Sequence, residues 1–381
     1  MCSIRFFAVL TAAMLLAVCS GCGSAEKKDS PSAGSGGQTA SATSQTASAN
    51  GGAIDVLPVP PDYFAAVVIN LRRITQSPLL ADLLKDEEIA EAIRKFGLYP
   101  GEIEQIVVPI RIDKTQPGES KLTAFLIARF THEVDAKDIL AKLKPKELIQ
   151  EVQFGGKTCL DLGPGAGLAY VPGKSTIVLA SKENMGSILA VTRPAGPLFE
   201  RLKRANADVD LIVTGEFENH PGLNKQIDSL KAGALPFLLD YLEIAKTLRE
   251  GAIAMNLTGD TLLQIGLDTK DPTAATAAEE RFKDDKKSLG GSLAGIKQTA
   301  SKEVKTEYAD AFRLGDEAID SMQVARHGTQ VTVTVKRPAG LDKAGPWVDK
   351  AVRAYFMLSP PRPGLQPPNN KPMPAQPSKF E

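Results

Sequence analysis

Residues 62–71 read DYFAAVVINL, a run of β-branched, aromatic and small apolar residues that is typical of a buried strand. Ser77-Pro78 then provides an N-cap and a proline for the first helical position. Residues 102–112 (EIEQIVVPIRI) form a second strand pattern, in which Pro109 indicates an edge or a bulge. The folded part of the chain is therefore predicted to begin with a strand, a helix and another strand.

The same kind of pattern continues through the first half of the chain. A third strand, a short helix and a fourth strand follow, at Leu122–Phe130, Asp135–Leu143 and Leu148–Phe154. The order β-α-β-β-α-β is that of a split-βαβ, or ferredoxin-like, unit. Hairpin signals at Gly155-Gly156 and Pro172-Gly173 and a helix at Ser181–Val191 come after it.

A similar order begins again at Val209. It consists of a strand, a helical segment in two pieces, a hairpin, a long helical stretch interrupted at Gly290-Gly291, another hairpin and a last helix. We predict these at Val209–Phe217, Gly222–Glu250, Ala252–Leu257 with Leu262–Leu267, the stretch after Asp271-Pro272, Ser321–Ala325 with Gln330–Lys336, and Asp342–Phe356. The prediction is an α+β fold of tandem duplicated ferredoxin-like modules with extra hairpins, over residues 58–191 and 196–358.

The amino terminus carries an export signal. Arg5 precedes a mainly apolar run at residues 6–18, too short to span a bilayer and of the length of a signal-peptide core. Ser20-Gly21-Cys22 follows, and it resembles the bacterial lipobox, whose cysteine receives diacylglycerol and becomes residue one after cleavage. We therefore predict a signal peptide over residues 1–21 and lipidation of Cys22. Cys19 is the alternative lipid site, and cleavage as an ordinary secretory signal is the other alternative.

Two further segments have the composition of unfolded chain. Residues 22–57 are rich in Ser, Gly, Ala and Thr and contain no aromatic residue, so they cannot bury enough apolar area to offset ordering entropy. We expect a disordered linker there, with an r.m.s. reach of roughly 30–35 Å. Residues 359–381 are proline-rich and are predicted to be a solvated tail in an extended conformation.

Charge and cysteine content argue against a nucleic-acid-binding protein and against a disulfide-stabilised fold. Lysine plus arginine equals aspartate plus glutamate, 45 against 45, and no basic cluster suggests nucleic-acid binding. Three of the four cysteines lie in the signal region, which leaves Cys159 alone in the folded part. The fold must therefore rely on its hydrophobic core rather than on disulfides.

Several motifs of catalysis or binding are incomplete. Five residues, instead of four, separate Gly167 from Gly173-Lys174-Ser175, so this segment is predicted to be a hairpin turn and not a phosphate loop. Cys159 lies in a strand pattern and is predicted to be a packing residue rather than a nucleophile. The three histidines, His132, His220 and His327, are scattered and predict no metal or cofactor site.

One cluster keeps an enzyme function open. Glu216 and Glu218 share a face at a strand end and lie close to His220 in the sequence, which could form an acid–base or metal site in a cleft between the modules. A solvated strand end is the commoner meaning of such a pattern. The sequence favours the solvated strand end, and no catalytic residue is assigned.

The first half also resembles a known group of proteins. The stretches Pro61–Val68, Gln76–Leu80, Phe96–Pro100 and Ile103–Ile106 are similar to uncharacterised exported lipoproteins that planctomycete-type bacteria carry in many copies. The resemblance covers about residues 58 to 190 and involves core and turn positions. It implies a shared scaffold and no catalytic residue.

These features predict a membrane-tethered lipoprotein of the cell envelope with a non-catalytic interaction or scaffold function. Its expected partners are the membrane, through the lipid anchor, and another envelope protein. Gly23 after the lipidated cysteine favours the outer membrane over the inner one. The alternatives are an exported hydrolase or metal-dependent enzyme with a site between the modules, and a protein that binds a lipid or small ligand in that cleft.

Overall fold

The stretch DYFAAVVINL contains the central strand of one large sheet. The structure, a computed structural model, describes residues 59–79, 100–116, 119–143, 149–163, 165–191, 195–204, 208–218, 220, 222–231 and 236–344. Strand β1 (Ala65–Ile69) pairs antiparallel with β2 (Ile103–Gln116) on one side and with β9 (Leu211–Glu216) on the other. Ala66 and Val68 of β1 are fully buried, which confirms the prediction of a buried strand.

The first half of the chain contributes eight strands and four of the described helices. Besides β1 and β2, these elements are, in chain order, α1 (Leu71–Gln76), β3 (Glu119–Ala124), β4 (Leu126–Phe130), α2 (Ala136–Leu143), β5 (Gln150–Phe154), β6 (Lys157–Asp161), β7 (Leu168–Gly173), β8 (Thr176–Ala180), α3 (Lys182–Leu189) and α4 (Pro197–Arg204). The helix predicted at Ser181–Val191 is confirmed as α3, which Ser181 caps by accepting a hydrogen bond from the Asn184 backbone N–H. Helix α4 was not predicted.

The second half contributes five strands and five of the described helices. Besides β9, these are α5 (Gly222–Lys231), α6 (Pro236–Thr247), β10 (Leu248–Met255), β11 (Thr261–Thr269), α7 (Pro272–Thr299), α8 (Lys302–Glu307), α9 (Ala309–Ser321), β12 (Gln323–His327) and β13 (Gln330–Lys336). Asp271 caps α7 by accepting a hydrogen bond from the Ala274 N–H, with Pro272 in the first helical position, as predicted.

The strand order across the sheet is β12-β13-β11-β10-β9-β1-β2-β4-β8-β7-β6-β5, with β3 paired to β2. Together with the helices, this order confirms a mixed α and β fold. The ferredoxin-like order is not confirmed, because a split-βαβ unit inserts a third strand between the two parallel strands that a helix joins, whereas β1 and β2 are antiparallel neighbours here.

The strands of the two predicted modules belong to one sheet. The pairing of β1 with β9 makes one continuous sheet from strands of both halves. The halves nevertheless share an order, since outward from this central pair the strands run β1-β2-β4-β8-β7 on one side and β9-β10-β11-β13-β12 on the other. β5 and β6 extend the first half by one additional hairpin.

Helices cover both faces of the sheet in the first half. On one face, Met185 of α3 and Leu202 of α4 pack on buried side chains that include Val68 and Val178. On the other face, Ile139 of α2 packs in a second cluster of buried apolar side chains. The core therefore consists of two layers, one on each side of the strands.

The second half is covered mainly on one face. Ala275, Ala278 and Phe282 of α7 pack against Val331 and Val333 of β13. On the opposite face Gln264 is exposed, and a Cβ added to Gly266 would meet no atom within 4 Å. One solvated face is usual for antiparallel sheets.

Two local predictions in the second half are corrected. The helix predicted to reach Glu250 ends at Thr247, because residues from Leu248 onward pair with β11 and β9. The predicted interruption at Gly290-Gly291 is absent: α7 runs for 28 residues through both glycines. Packing against α9 stabilises the helix there, where a Cβ on Gly290 would lie 3.9 Å from the Ile319 side chain.

Several predictions fall on residues outside the described ranges. They are the signal peptide (1–21) with Cys19 and Cys22, the linker (22–57), most of the helix after Ser77-Pro78, the helix at 342–356 beyond Ala344, and the proline-rich tail (359–381). Among the residues that are described, no helix is long and apolar enough to cross a membrane.

Candidate functional site

The cluster of Glu216, Glu218 and His220 lies at the end of β9. Glu216 is the last residue of the strand and its N–H donates to the Phe64 carbonyl at 2.7 Å, while Glu218 is exposed beyond it. The His220 ring packs on the Phe64 ring, with centroids 4.9 Å apart. The first strands of the two predicted modules, β1 and β9, are hydrogen-bonded neighbours, so no cleft separates the modules at this junction.

Metal-ligating residue types are dispersed over the described part of the chain. Within it, no three His, Cys, Asp or Glu side chains are grouped so that they could hold a metal ion. His132 is exposed and contacts the Thr131 hydroxyl, and His327 lies exposed at the β12–β13 turn. The two remaining histidines therefore lie at other places in the fold than His220.

The segment that resembles a phosphate loop is a hairpin, as its spacing predicts. Gly173 is the last residue of β7 and pairs with Thr176, the first residue of β8. Lys174 and Ser175 form the turn, and the Lys174 ammonium pairs with exposed Glu133 at 3.0 Å. The Lys174 and Ser175 backbone thus precedes a strand, and it lacks the helix N-terminus that binds phosphate.

Cys159 lies in β6, as predicted, with its side chain in the core. Only 1% of the residue is exposed, and it packs in the same cluster as Val178 and Met185. Burial raises the pKa of the Cys159 thiol, because the thiolate loses hydration in apolar surroundings. The structure therefore gives this cysteine the environment of an unreactive packing residue.

A buried polar network lies beside the junction of the two halves. Gln105 Nε2 donates to Asn70 Oδ1 at 2.8 Å, and Asn70 Nδ2 donates to the Val209 carbonyl. Arg73 Nε donates to Asp210 Oδ1 at 3.2 Å, and the other oxygen of this buried carboxylate accepts the Leu257 N–H. The network links β1 and β2 with β9 and with the loop after β10.

A second polar cluster fixes α3 above the hairpin of β2 and β3. Arg111 donates to Asn184 Oδ1 and to Asp62 Oδ2, both at 2.8 Å, and to the Thr123 hydroxyl at 3.3 Å. Its guanidinium also lies 5.4 Å from the centroid of the Tyr63 ring. One arginine thereby holds together a strand, a helix and the segment that enters β1.

A third cluster joins α6 to α7. Arg281 Nη1 donates to Asp240 at 2.8 Å, and Arg281 Nη2 pairs with Asp285 at 3.0 Å. The Tyr241 hydroxyl donates to the same Asp285 carboxylate. Burial raises the pKa of Asp285, while the bond from Tyr241 acts in the opposite direction. The three clusters share a property that sequence periodicity does not reveal: their charges join elements distant in the chain.

The fold and these clusters define a mixed α/β protein with a large antiparallel sheet and polar contacts between its elements. No protein-family profile matches the sequence, and no curated protein matches it. Among solved structures, crystal form III of TP0453 is similar with 7% identity and a TM-score of 0.38, over 77% of this chain and 98% of that one. Crystal form I of TP0453 gives 9% identity and a TM-score of 0.36, over 77% and 97%. At this level of similarity, no function of those proteins can be assigned to this chain.

Proposed function

We propose that this protein is a lipoprotein of the cell envelope, tethered to a membrane through lipid on Cys22. The observation that carries the proposal is the sequence Ser20-Gly21-Cys22, placed directly after the apolar run of residues 6–18 and before a polar, aromatic-free segment. A lipobox cysteine carries more than one acyl chain, and two or more chains bind a membrane stably. Gly23 supports placement in the outer membrane.

The folded part acts as a non-catalytic scaffold that presents a surface to another envelope protein. The support for this role is that the buried and half-buried charges join elements of the fold to one another. The ion pairs are those of Arg73 with Asp210, Arg111 with Asp62, and Arg281 with Asp285. An active site gathers such groups around a space where a substrate can bind. Here they make a single sheet and its helices rigid.

The two halves derive from duplication of one unit, which consists of a strand, a helical segment, a hairpin, another helical segment and a second hairpin. Its support is the equal order of strands on either side of the β1–β9 pair. In this scheme β1 corresponds to β9 and β4 to β11, the same correspondence that the sequence predicts between residues 62–71 and 209–217 and between residues 122–130 and 262–267.

The tether is tested by comparing Cys22→Ser with Cys19→Ser in the full-length chain. Cys22→Ser should shift the protein to the soluble fraction or leave its signal uncleaved, and Cys19→Ser should leave it processed and membrane-bound. Processing and membrane attachment of Cys22→Ser would refute lipidation at this site, and loss of both in Cys19→Ser would assign the lipid to Cys19. Affinity capture from membranes then identifies the partner.

A further inference from the structure

The side of helix α7 that packs on the sheet, here called its inner side, carries a large exposed apolar residue near the carboxyl end. Four apolar residues at intervals of seven, which is about two helical turns, lie on this side: Ala275, Phe282, Leu289 and Ile296. Their exposure rises from 0% at Ala275 and 6% at Phe282 to 51% at Ile296. The inner side is therefore covered where α7 begins and open to solvent where α7 ends.

The exposure follows from the lengths of α7 and of the strand from which it turns back. α7 has 28 residues and is about 42 Å long, whereas β11 has nine residues and is about 30 Å long. The last part of α7 thus extends past the end of the sheet, where α9 lies beside it. A Cβ on Gly315 of α9 would lie 3.0 Å from the Leu293 side chain. Ile296, one turn further along, lacks the cover that the sheet gives to Phe282.

A small apolar cluster lies next to this open part of the inner side. Ala344, the last residue that the structure describes, is 6% exposed and packs in one cluster with Leu314 of α9 and Leu257 of the loop after β10. Leu314 precedes Gly315, the residue that faces Leu293. The chain after Ala344 therefore begins beside the exposed part of α7.

The residues after Ala344 have the pattern of a helix with one apolar side. Ala344 shares this side with Val348, Ala351 and Tyr355, and Trp347 lies beside them. The charged residues of the segment fall on the other side, namely Asp349, Lys350 and Arg353. As a helix, residues 345–356 would be about 18 Å long, more than the roughly 12 Å of α7 that lies past the strand.

We propose that residues 345–356 form a helix whose apolar side packs on the open inner side of α7, against Leu293 and Ile296. The buried start of the segment, its apolar pattern and its length all fit this surface. Residues 80–99 also begin at the cluster, through Leu79, but they have to return to Pro100 beside the start of β2, in the other half of the sheet. The inference does not depend on the lipid tether.

Trp347 is the only tryptophan of the chain, so its fluorescence reports this packing directly. In the purified full chain, Trp347 should emit at the short wavelengths of a buried indole and resist quenching by acrylamide. Ile296→Lys should weaken the packing at least about tenfold, because a charge replaces buried apolar area, and should shift the emission to longer wavelengths. Gln298→Lys, on the opposite side of α7, is the matched control and should leave the emission unchanged.

Emission typical of an exposed indole in the wild type, or unchanged emission in Ile296→Lys, would overturn the inference. Since Ile296 is half exposed, Ile296→Lys should keep the fold, and far-ultraviolet circular dichroism checks this.

Cysteine pairs identify what packs on α7. Ser292 lies on the inner side between Leu289 and Ile296, and Ser292→Cys combined with Ala351→Cys should form a disulfide within one chain. Ser292→Cys combined with Arg353→Cys, on the charged side of the segment, should not. A disulfide-linked dimer would assign the surface to a second copy, and a disulfide between Ser292→Cys and Leu84→Cys would assign it to residues 80–99. Either result would overturn the inference.

Discussion

Arg73 and Asp210 are 137 residues apart in the chain, and their side chains form an ion pair at 3.2 Å beside the strand junction that joins the two halves. The Asp210 carboxylate is fully buried, whereas 35% of the Arg73 side chain remains exposed. The second carboxylate oxygen accepts a hydrogen bond from the Leu257 N–H. Asp210, the residue before β9, therefore contacts both α1 and the loop after β10. The pair connects the first half of the sheet to the second.

Removing this carboxylate should destabilise the whole sheet. Asp210→Ala leaves the Leu257 N–H without its acceptor and Arg73 without its partner, and we expect a loss of about 3–5 kcal/mol in the free energy of unfolding. Asp210→Asn keeps an acceptor for Leu257 and should lose less. Urea denaturation measures both, with Asp260→Ala at an exposed position as the control. A loss below about 0.5 kcal/mol for Asp210→Ala would contradict this role.

Gly167 is predicted to tolerate no side chain. Its φ is +91°, and an added Cβ would lie 2.2 Å from the Ala180 carbonyl oxygen. Gly167→Ala should therefore lower the free energy of unfolding by about 2 kcal/mol or more. Gly173→Ala is the matched control, because that position has open space and no positive φ. Equal stabilities of the two variants in urea would show that the contact at Gly167 is not real.

Cys159 should not react with thiol reagents in the native protein. Burial in the core raises the pKa of the thiol and blocks access to it. Iodoacetamide should modify Lys157→Cys, an exposed site in the same strand, but should modify Cys159 only after unfolding in urea. Cys159→Ala should cost about 1 kcal/mol of stability. Rapid alkylation of native Cys159 would instead indicate an accessible, activated thiol.

Glu279 gives the fold a defined dependence on pH. Hydrogen bonds and charge from Lys283, followed by Arg326 of β12, lower the pKa of the Glu279 carboxyl. A lowered folded-state pKa adds stability above the unfolded pKa of about 4.3, and this stability is lost as pH falls through the folded value. Glu279→Gln should therefore cost about 1 kcal/mol at neutral pH.

The difference between wild type and Glu279→Gln should disappear in strongly acidic solution, where the carboxyl is protonated in both folded and unfolded chains. Exposed Glu280→Gln provides the control and should change stability little at any pH. Thermal denaturation followed by circular dichroism across a pH series makes the comparison. A constant difference at all pH values would rule out a contribution from the ionised carboxylate.

Much of the local structure could be predicted because it depends on neighbouring residues. Three features follow from short-range pattern and turn chemistry: the buried strand around Val68, the Gly155-Gly156 turn, whose residues have φ of +57° and +74°, and the cap at Asp271. The strand partners could not be predicted in this way. The sequence pattern of β1 indicates that both faces of the strand are buried. It does not indicate that β9, about 145 residues later, is the neighbouring strand.

The candidate functional residues show the same difference between local features, which could be predicted, and contacts between distant residues, which could not. Gly290-Gly291 has the local signal of a helix break, yet packing against α9 maintains α7, so the continuity of this helix could not be predicted from its own residues. The cluster of Glu216, Glu218 and His220 was a candidate site through proximity in the sequence alone. The contacts of Arg111 and Arg281 join elements between 12 and 73 residues apart, which no local pattern reveals.

The most direct test of the tethered-lipoprotein proposal is the mass of the amino-terminal peptide of the mature protein, purified from membranes. We predict a peptide that begins at Cys22 and carries diacylglycerol on its sulfur, with residues 1–21 removed. A mature protein that begins at another residue and whose cysteines are unmodified would contradict the account. The tether and the scaffold function built on it would then both have to be abandoned.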